Sequence, residues 1–226
     1  MYTKIVGTGS YLPKKVLTND DIAQLVDTND EWIRERTGIQ SRHIVEDETT
    51  VTMASMAAKD ALENANLQPE DIDLIIVATV SADNLLPSTA CSVQKELGAV
   101  NATAFDINAA CSGFFICTQY SRCVHKNRAC IKTALLIGVE TLSKIVDWND
   151  RGTCILFGDG AGAAVVAASE TPGILAGIQG ADGAGGDVLA CKGRENNNPI
   201  VKGDLTPGYV SMEGQSVFKF AVKKCS

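Results

Sequence analysis

The chain has 226 residues, 45% hydrophobic and 21% charged, enough to bury a sizeable core and too apolar for a disordered segment. Its net charge is −7 and its basic residues are scattered, which excludes the basic patch of a nucleic-acid binder. No apolar run reaches the roughly 20 residues that span a bilayer, and no signal-peptide core precedes the first strand-like residues, so a cytoplasmic protein without a membrane partner is expected.

The predicted elements alternate. Residues 51–65 place Met53, Met56, Ala57, Ala61 and Leu62 near a 3.6-residue period, with Thr50 or Thr52 as the cap. Pro69-Glu70-Asp71 breaks the chain, and 72–80 is a nearly continuous apolar run, as in a strand buried on both faces. Ser88 caps a short helix that ends near Gly98. Residues 102–108 and 133–139 read as strands on either side of a helix over 111–126. Residues 162–168 and 174–180 read as two more strands, and 217–224 as the beginning of a helix. The glycine-rich 177–186 and the polar 193–208 read as surface loops. This order predicts an α/β layered fold with a mixed sheet.

Two glycine clusters invite a nucleotide-loop reading and fail on context. Gly158-Asp159-Gly160-Ala161-Gly162 runs into a strand-like segment, and Gly7-Thr8-Gly9 opens no helix. Tight backbone packing beside an active site accounts for them better.

The cysteines are Cys91, Cys111, Cys117, Cys123, Cys130, Cys154, Cys191 and Cys225. With no export signal, no C-x-x-C pair and only two histidines, reduced thiols are expected and no metal site. Cys91, Cys117, Cys123, Cys130 and Cys154 read as core residues, because free cysteine packs like a small hydrophobe. Cys111 stands apart. A buried strand leads through Asn108-Ala109-Ala110 to Cys111 and then into a helix. Small residues let a substrate approach, and a helix start offers a positive dipole and free N–H groups, which favour thiolates and can hold an oxyanion. From position alone, a nucleophile and a core cysteine both remain open.

The segment DINAACSGF at 106–114 resembles the nucleophile turn of the β-ketoacyl-acyl carrier protein synthase III family, in the thiolase-like superfamily. TKIVGTGSYLP at 3–13, DEWIRERTGI at 30–39, DRGTCILFGDGAGAA at 150–164 and residues 213–222 are similar to other segments of that family, in the same order. The resemblance implies a layered αβαβα fold, with 1–170 as the complete N-terminal half and 171–226 as the start of the C-terminal half.

The resemblance also implies chemistry. A cysteine, here Cys111, accepts the acyl group of a short acyl-CoA, acetyl being the simplest primer, and condenses it with malonyl-acyl carrier protein with loss of carbon dioxide. Trp32 and Arg36 match positions that hold the adenine end of coenzyme A, and Arg151 matches another position of that tunnel. Phe157 matches an aromatic of the acyl pocket. Leu86 matches a position that reaches the neighbouring subunit's pocket. Acyl carrier protein, acyl-CoA and a second copy in a homodimer are the implied partners, and no cofactor beyond the coenzyme substrate is expected. Read without the resemblance, the tryptophan is a half-buried anchor and the arginines are solvated charges.

The family's histidine and asparagine, which stabilise the thioester oxyanion and the enolate, belong to a later segment with no counterpart in residues 1–226. His125, on the helix that follows Cys111, would be about 21 Å along its axis. His43 matches no catalytic position. Two expectations follow: an acyltransferase of fatty-acid initiation whose present residues are inactive in condensation, or a shortened non-catalytic relative that binds acyl-CoA or dimerises.

Overall fold

The computed structural model describes residues 2–127 and 131–225, with the backbone alone described at 224 and 225. The first elements are β1 (Tyr2–Tyr11), β2 (Lys15–Thr18), α1 (Asn19–Ala23), α2 (Asp30–Thr37), β3 (Ser41–Ile44) and α3 (Thr50–Ala65). Then come β4 (Leu74–Ala78), α4 (Thr89–Leu97), β5 (Thr103–Ile107), α5 (Gly113–Lys126) and β6 (Thr133–Thr141). The last are α6 (Arg151–Cys154), β7 (Asp159–Ser169), β8 (Leu189–Cys191), β9 (Val210–Met212) and α7 (Gly214–Cys225).

Contacts group these elements into two compact units, one of residues 1–15, 43–141 and 158–179, the other of 16–42, 142–157 and 180–226. The first unit is built on a five-stranded mixed sheet in the order β1-β7-β6-β4-β5. Strand β4 runs parallel to both β5 and β6, while β7 is antiparallel to β6 and β1. All five residues of β4 are buried, which is why that stretch reads as an unbroken apolar run. Alternate residues serve opposite layers. Ile75, Val77, Leu135 and Ile137 pack with Met53, Ala57 and Ala61 of α3 and Val93 of α4. Leu74, Ile76 and Leu136 pack with Phe114 and Cys117 of α5. The unit is therefore a helix–sheet–helix sandwich.

In the second unit Ile22, Ile33, Val146, Cys154 and Ile155 form the core, with Trp32, Trp148 and Phe157 packed against it. Strands β8 and β9 pair antiparallel, Ala190 opposite Ser211.

Several local expectations hold. Ser88 caps α4, its side chain accepting from the Cys91 N–H, and Gly98 ends the helix at φ 77°. Others need correction. Helix α3 is capped by Thr49, in a reciprocal box with Thr52, rather than by Thr50 or Thr52. Residues 174–180 form no strand: the Ile174 N–H bonds the Thr3 carbonyl, but Leu175 is 68% exposed and Ile178 fully so, and no ladder forms there among the described residues. Helix α7 begins at Gly214, three residues before 217, because the Ser216 and Val217 N–H groups already bond the Glu213 carbonyl. Helix α5 begins at Gly113, Cys111 lying in the 3-10 turn Ala110–Ser112 before it.

The thiols also sort differently from expectation. Cys117 and Cys154 are buried, but Cys91 and Cys123 are exposed. On α5 the buried stripe runs through Cys117, Ser121 and His125, and Cys123 falls on the opposite side. On α4 the buried residues are Thr89, Ala90 and Val93, which leaves Cys91 outward. The six described cysteines are free; Cys130 and the side chain of Cys225 lie outside the described residues. Among the described residues no helix is long and apolar enough to cross a membrane, and no cluster of His, Cys, Asp or Glu could hold a metal ion.

The glycines of β1 serve close packing, but against α3, on the face opposite α5. A Cβ at Gly9 would sit 2.3 Å from the Ala57 carbonyl oxygen and 2.3 Å from the Ala61 nitrogen, and one at Gly7 would meet Ala61 and Ala65 as closely. Both obstacles include helix backbone, which cannot step aside. Gly9→Ala should therefore destabilise the protein by about 3 kcal/mol. Gly162→Ala, where a Cβ meets nothing within 4 Å, should cost well under that. Urea unfolding of the two variants checks the ranking, and equal losses would contradict it.

Candidate active site

The turn that carries Cys111 is set by strand β5 and helix α5. The backbone leaves β5 at Ile107, passes Ala109 at φ −148° and Ala110 at φ 43°, and turns into the helix. A positive φ at a residue with a Cβ costs on the order of 1 kcal/mol and survives only where its surroundings impose it. The imposing contact is next door: Gly113 abuts β4 so closely that a Cβ there would lie 2.7 Å from the Ala78 Cβ. With that side chain absent, the helix start presses against the end of β4, and Cys111 is left exposed at the turn.

The N–H groups after the cysteine are less free than the sequence suggests. The Ser112 N–H bonds the Ala109 carbonyl at 3.1 Å, and the Gly113 N–H bonds the Ala110 carbonyl. The 3-10 turn thus uses the first donors for its own closure.

Two carboxylates hold the loops around this turn. Asp106 of β5 accepts the Thr89 and Ala90 N–H groups, each at 2.7 Å, and so pins the start of α4. Glu140, near the end of β6, accepts the Val80 N–H at 3.0 Å together with the Thr79 and Ser81 hydroxyls. Burial pushes the Glu140 carboxyl up, and Ser81 and Val80 oppose that by bonding its charged form. Glu140 therefore fixes residues 79–81 just beyond Ala78. Sequence reasoning gave it no role; an acidic residue closing an apolar strand was the available signal.

Neither histidine is brought into a catalytic arrangement. His125 is 1% exposed and its Nδ1 lies 2.9 Å from the Thr3 hydroxyl oxygen. Burial pulls it below the usual histidine range, with Asp73 opposing. His43 Nδ1 lies 2.6 Å from the Pro13 carbonyl oxygen.

In the second unit, three residues predicted from distant segments come together. The Arg36 guanidinium lies 4.3 Å from the Trp32 ring centroid and the Arg151 guanidinium 4.7 Å from it. Arg36 is placed one turn on in α2, and Arg151 by the Asp150-capped helix α6 and by its Nη1 bond to the Asp27 carbonyl at 3.1 Å. Two cations stacked on a half-buried indole make a flat, electropositive surface suited to a base and its phosphates. Phe157 packs in the same cluster as Trp32. Leu86 is not gathered into a core; it is 87% exposed beside Leu85 at 90%.

Exposure ranks the thiols. Burial pushes Cys117 up to about 12 and raises Cys154 as well. Brief iodoacetamide treatment with peptide mapping should label Cys111 ahead of the exposed Cys91, Cys123 and Cys191, and Cys117 and Cys154 only on unfolding. Labelling of Cys91 or Cys123 as fast as Cys111 would remove its special status.

Comparison with known proteins gives the family. Residues 105–183 match the family model of 3-oxoacyl-[acyl-carrier-protein] synthase III. A β-ketoacyl-[acyl-carrier-protein] synthase III of Clostridium kluyveri is 52% identical over 224 residues, 97% of this chain and 68% of that protein. The crystal structure of the Aquifex aeolicus 3-oxoacyl-[acyl-carrier-protein] synthase III superposes with a TM-score of 0.87 at 48% identity, over 96% of this chain and 67% of that one. The priming β-ketosynthase of the R1128 polyketide pathway gives a TM-score of 0.89 at 36% identity, over 98% of this chain and 66% of that one. The chain belongs to the β-ketoacyl-acyl carrier protein synthase III family of thiolase-like condensing enzymes, and spans about two thirds of its relatives' length.

Proposed function

We propose that this protein receives a short acyl group, acetyl in the simplest case, from acyl-CoA onto Cys111, for condensation with malonyl-acyl carrier protein at the start of a fatty-acid chain. The observation that carries the reading is the stacking of Arg36 and Arg151 on Trp32. The reading is supported by residues that the resemblance matches to the coenzyme A site meeting on one ring, and by Cys111 standing exposed at a turn between strand and helix.

The chemistry follows from these groups. The Trp32 ring and the two guanidiniums bind the adenine and phosphate end of the coenzyme. The Cys111 sulfur attacks the thioester carbonyl; the carbon–sulfur bond to coenzyme A breaks, and the coenzyme leaves as a thiol. Phe157 lines the acyl pocket and Leu86 reaches a second copy's pocket in a homodimer; the exposure of Leu85 and Leu86 supports the latter. In this reading residues 171–226 begin the second thiolase-like half, and the chain works in the cytoplasm.

Condensation asks for more than acylation. Negative charge develops on the malonyl thioester as carbon dioxide departs, and losing one donor to such a charge commonly costs on the order of 10²–10³ in rate. In this reading the donors to that charge are a histidine and an asparagine that the family resemblance assigns to a later segment, and residues 1–226 by themselves should acylate but condense slowly. Arg36→Ala and Arg151→Ala should each weaken coenzyme A binding, by about 1–2 kcal/mol, since both groups are solvent-exposed. Calorimetric titration with coenzyme A checks this. Radiolabelled acetyl-CoA with malonyl-acyl carrier protein should give much less product with residues 1–226 than with the Clostridium kluyveri relative. Unchanged dissociation constants, or equal product, would overturn the reading.

A further inference from the structure

Arg42 lies in β3, is 5% exposed, and has no part in the roles described so far. A buried guanidinium is costly unless its donors are placed. Arg42 Nη2 donates to Asn19 Oδ1 at 3.0 Å and to the Ile155 carbonyl at 2.9 Å, and Nη1 donates to the Leu17 carbonyl at 3.3 Å. Its Nε has no partner among the described residues. All three acceptors are neutral oxygens, so the fork shape of the group matters more here than an ion pair.

The acceptors lead to the two elements that bear the coenzyme platform. Asn19 is 1% exposed, and its amide donates to Asp30 Oδ1 at 2.8 Å and to the Ile39 carbonyl at 2.8 Å. It therefore grips α2 at its first residue and just past its Gly38 cap. Asp30 in turn holds Arg34 at 2.8 Å, and that contact, with the Asn19 bond, keeps its carboxyl below the usual range. Ile155 is the C-cap of α6, the helix that opens with Arg151, and it packs in the cluster that holds Trp32 and Phe157. One guanidinium thus bridges the helix of Trp32 and Arg36 to the helix of Arg151.

We propose that Arg42 is a positioning residue, which locks α2 to α6 so that Trp32, Arg36 and Arg151 form a single surface for the adenine-nucleotide end of coenzyme A. The proposal rests on the reading of that surface as a coenzyme site. Stacking is sensitive to placement: a shift of about 1 Å in one helix separates a ring from its cation. Lysine cannot replace the fork, because its ammonium is a single point that cannot span acceptors on both sides.

The test uses a Trp148→Phe background, in which Trp32 alone reports. In Arg42→Met, acrylamide quenching of Trp32 should rise at least about twofold, and the coenzyme A dissociation constant should weaken about tenfold, the size expected for lost hydrogen bonds to a charged group. Arg42→Lys should recover only part of both. The far-UV spectrum and the alkylation rate of Cys111 should stay as in the parent, which separates a placement effect from general unfolding. If Arg42→Met does not fold, Asn19→Ala carries the same readouts, since it cuts the link to α2 and leaves the one to Ile155. A folded variant with parental quenching and parental affinity overturns the proposal. Failure of the parent itself to bind coenzyme A removes the coenzyme reading, while the quenching arm still decides whether Arg42 positions Trp32.

Discussion

The turn that carries Cys111 depends on a missing side chain. Gly113 begins α5 against Ala78 at the end of β4, with room for a hydrogen and no more. That contact sets where the helix starts, the start sets the 3-10 turn of Ala110–Ser112, and the turn holds Ala110 at a positive φ with Cys111 outward. The sheet supplies the rigidity this requires. Strand β4 is buried along its length between β5 and β6, and Glu140 clamps the residues that follow it. A strained turn is stable only where packed neighbours over-determine it. Here those neighbours are a central strand, the helix itself and the half-buried carboxylate of Glu140.

The second unit solves a different problem with a similar economy of parts. Its platform needs a ring and two cations from separate segments. Like charges on one ring repel each other, so their placement must be imposed from outside. Hydrogen bonds from the buried Arg42 and Asn19 impose it. Flat aromatic and guanidinium surfaces bind nucleotides by stacking as well as charge, which tolerates an overall acidic protein.

The sequence made the layered fold legible because burial leaves a direct imprint. A strand covered on both faces must be apolar throughout, as 72–80 is, and a helix that stops needs a residue like Gly98. Trp32, Arg36 and Arg151 were found through family resemblance; their spacing alone could not bring them to one ring. What stayed hidden depended on partners rather than patterns. Residues 174–180 are apolar enough for a strand but have no ladder to join. Cys91 and Cys123 carry a core residue's chemistry on the outward faces of helices, a distinction of about 100° per residue that composition cannot see. Arg42 was invisible because its acceptors are two backbone carbonyls and an asparagine far apart in the chain. Ser41-Arg42-His43 reads as an ordinary polar stretch until the fold buries it.

The central claim is that the turn at 110–113 makes Cys111 the acyl acceptor. Incubation with acetyl-CoA at neutral pH, followed by proteolysis and mass spectrometry of the acetylated peptides, tests it most directly. The account predicts a hydroxylamine-labile acetyl group on the peptide of Cys111, absent in Cys111→Ser. An acetyl group spread equally over Cys91, Cys123 and Cys191, or an unchanged yield in Cys111→Ser, would contradict it.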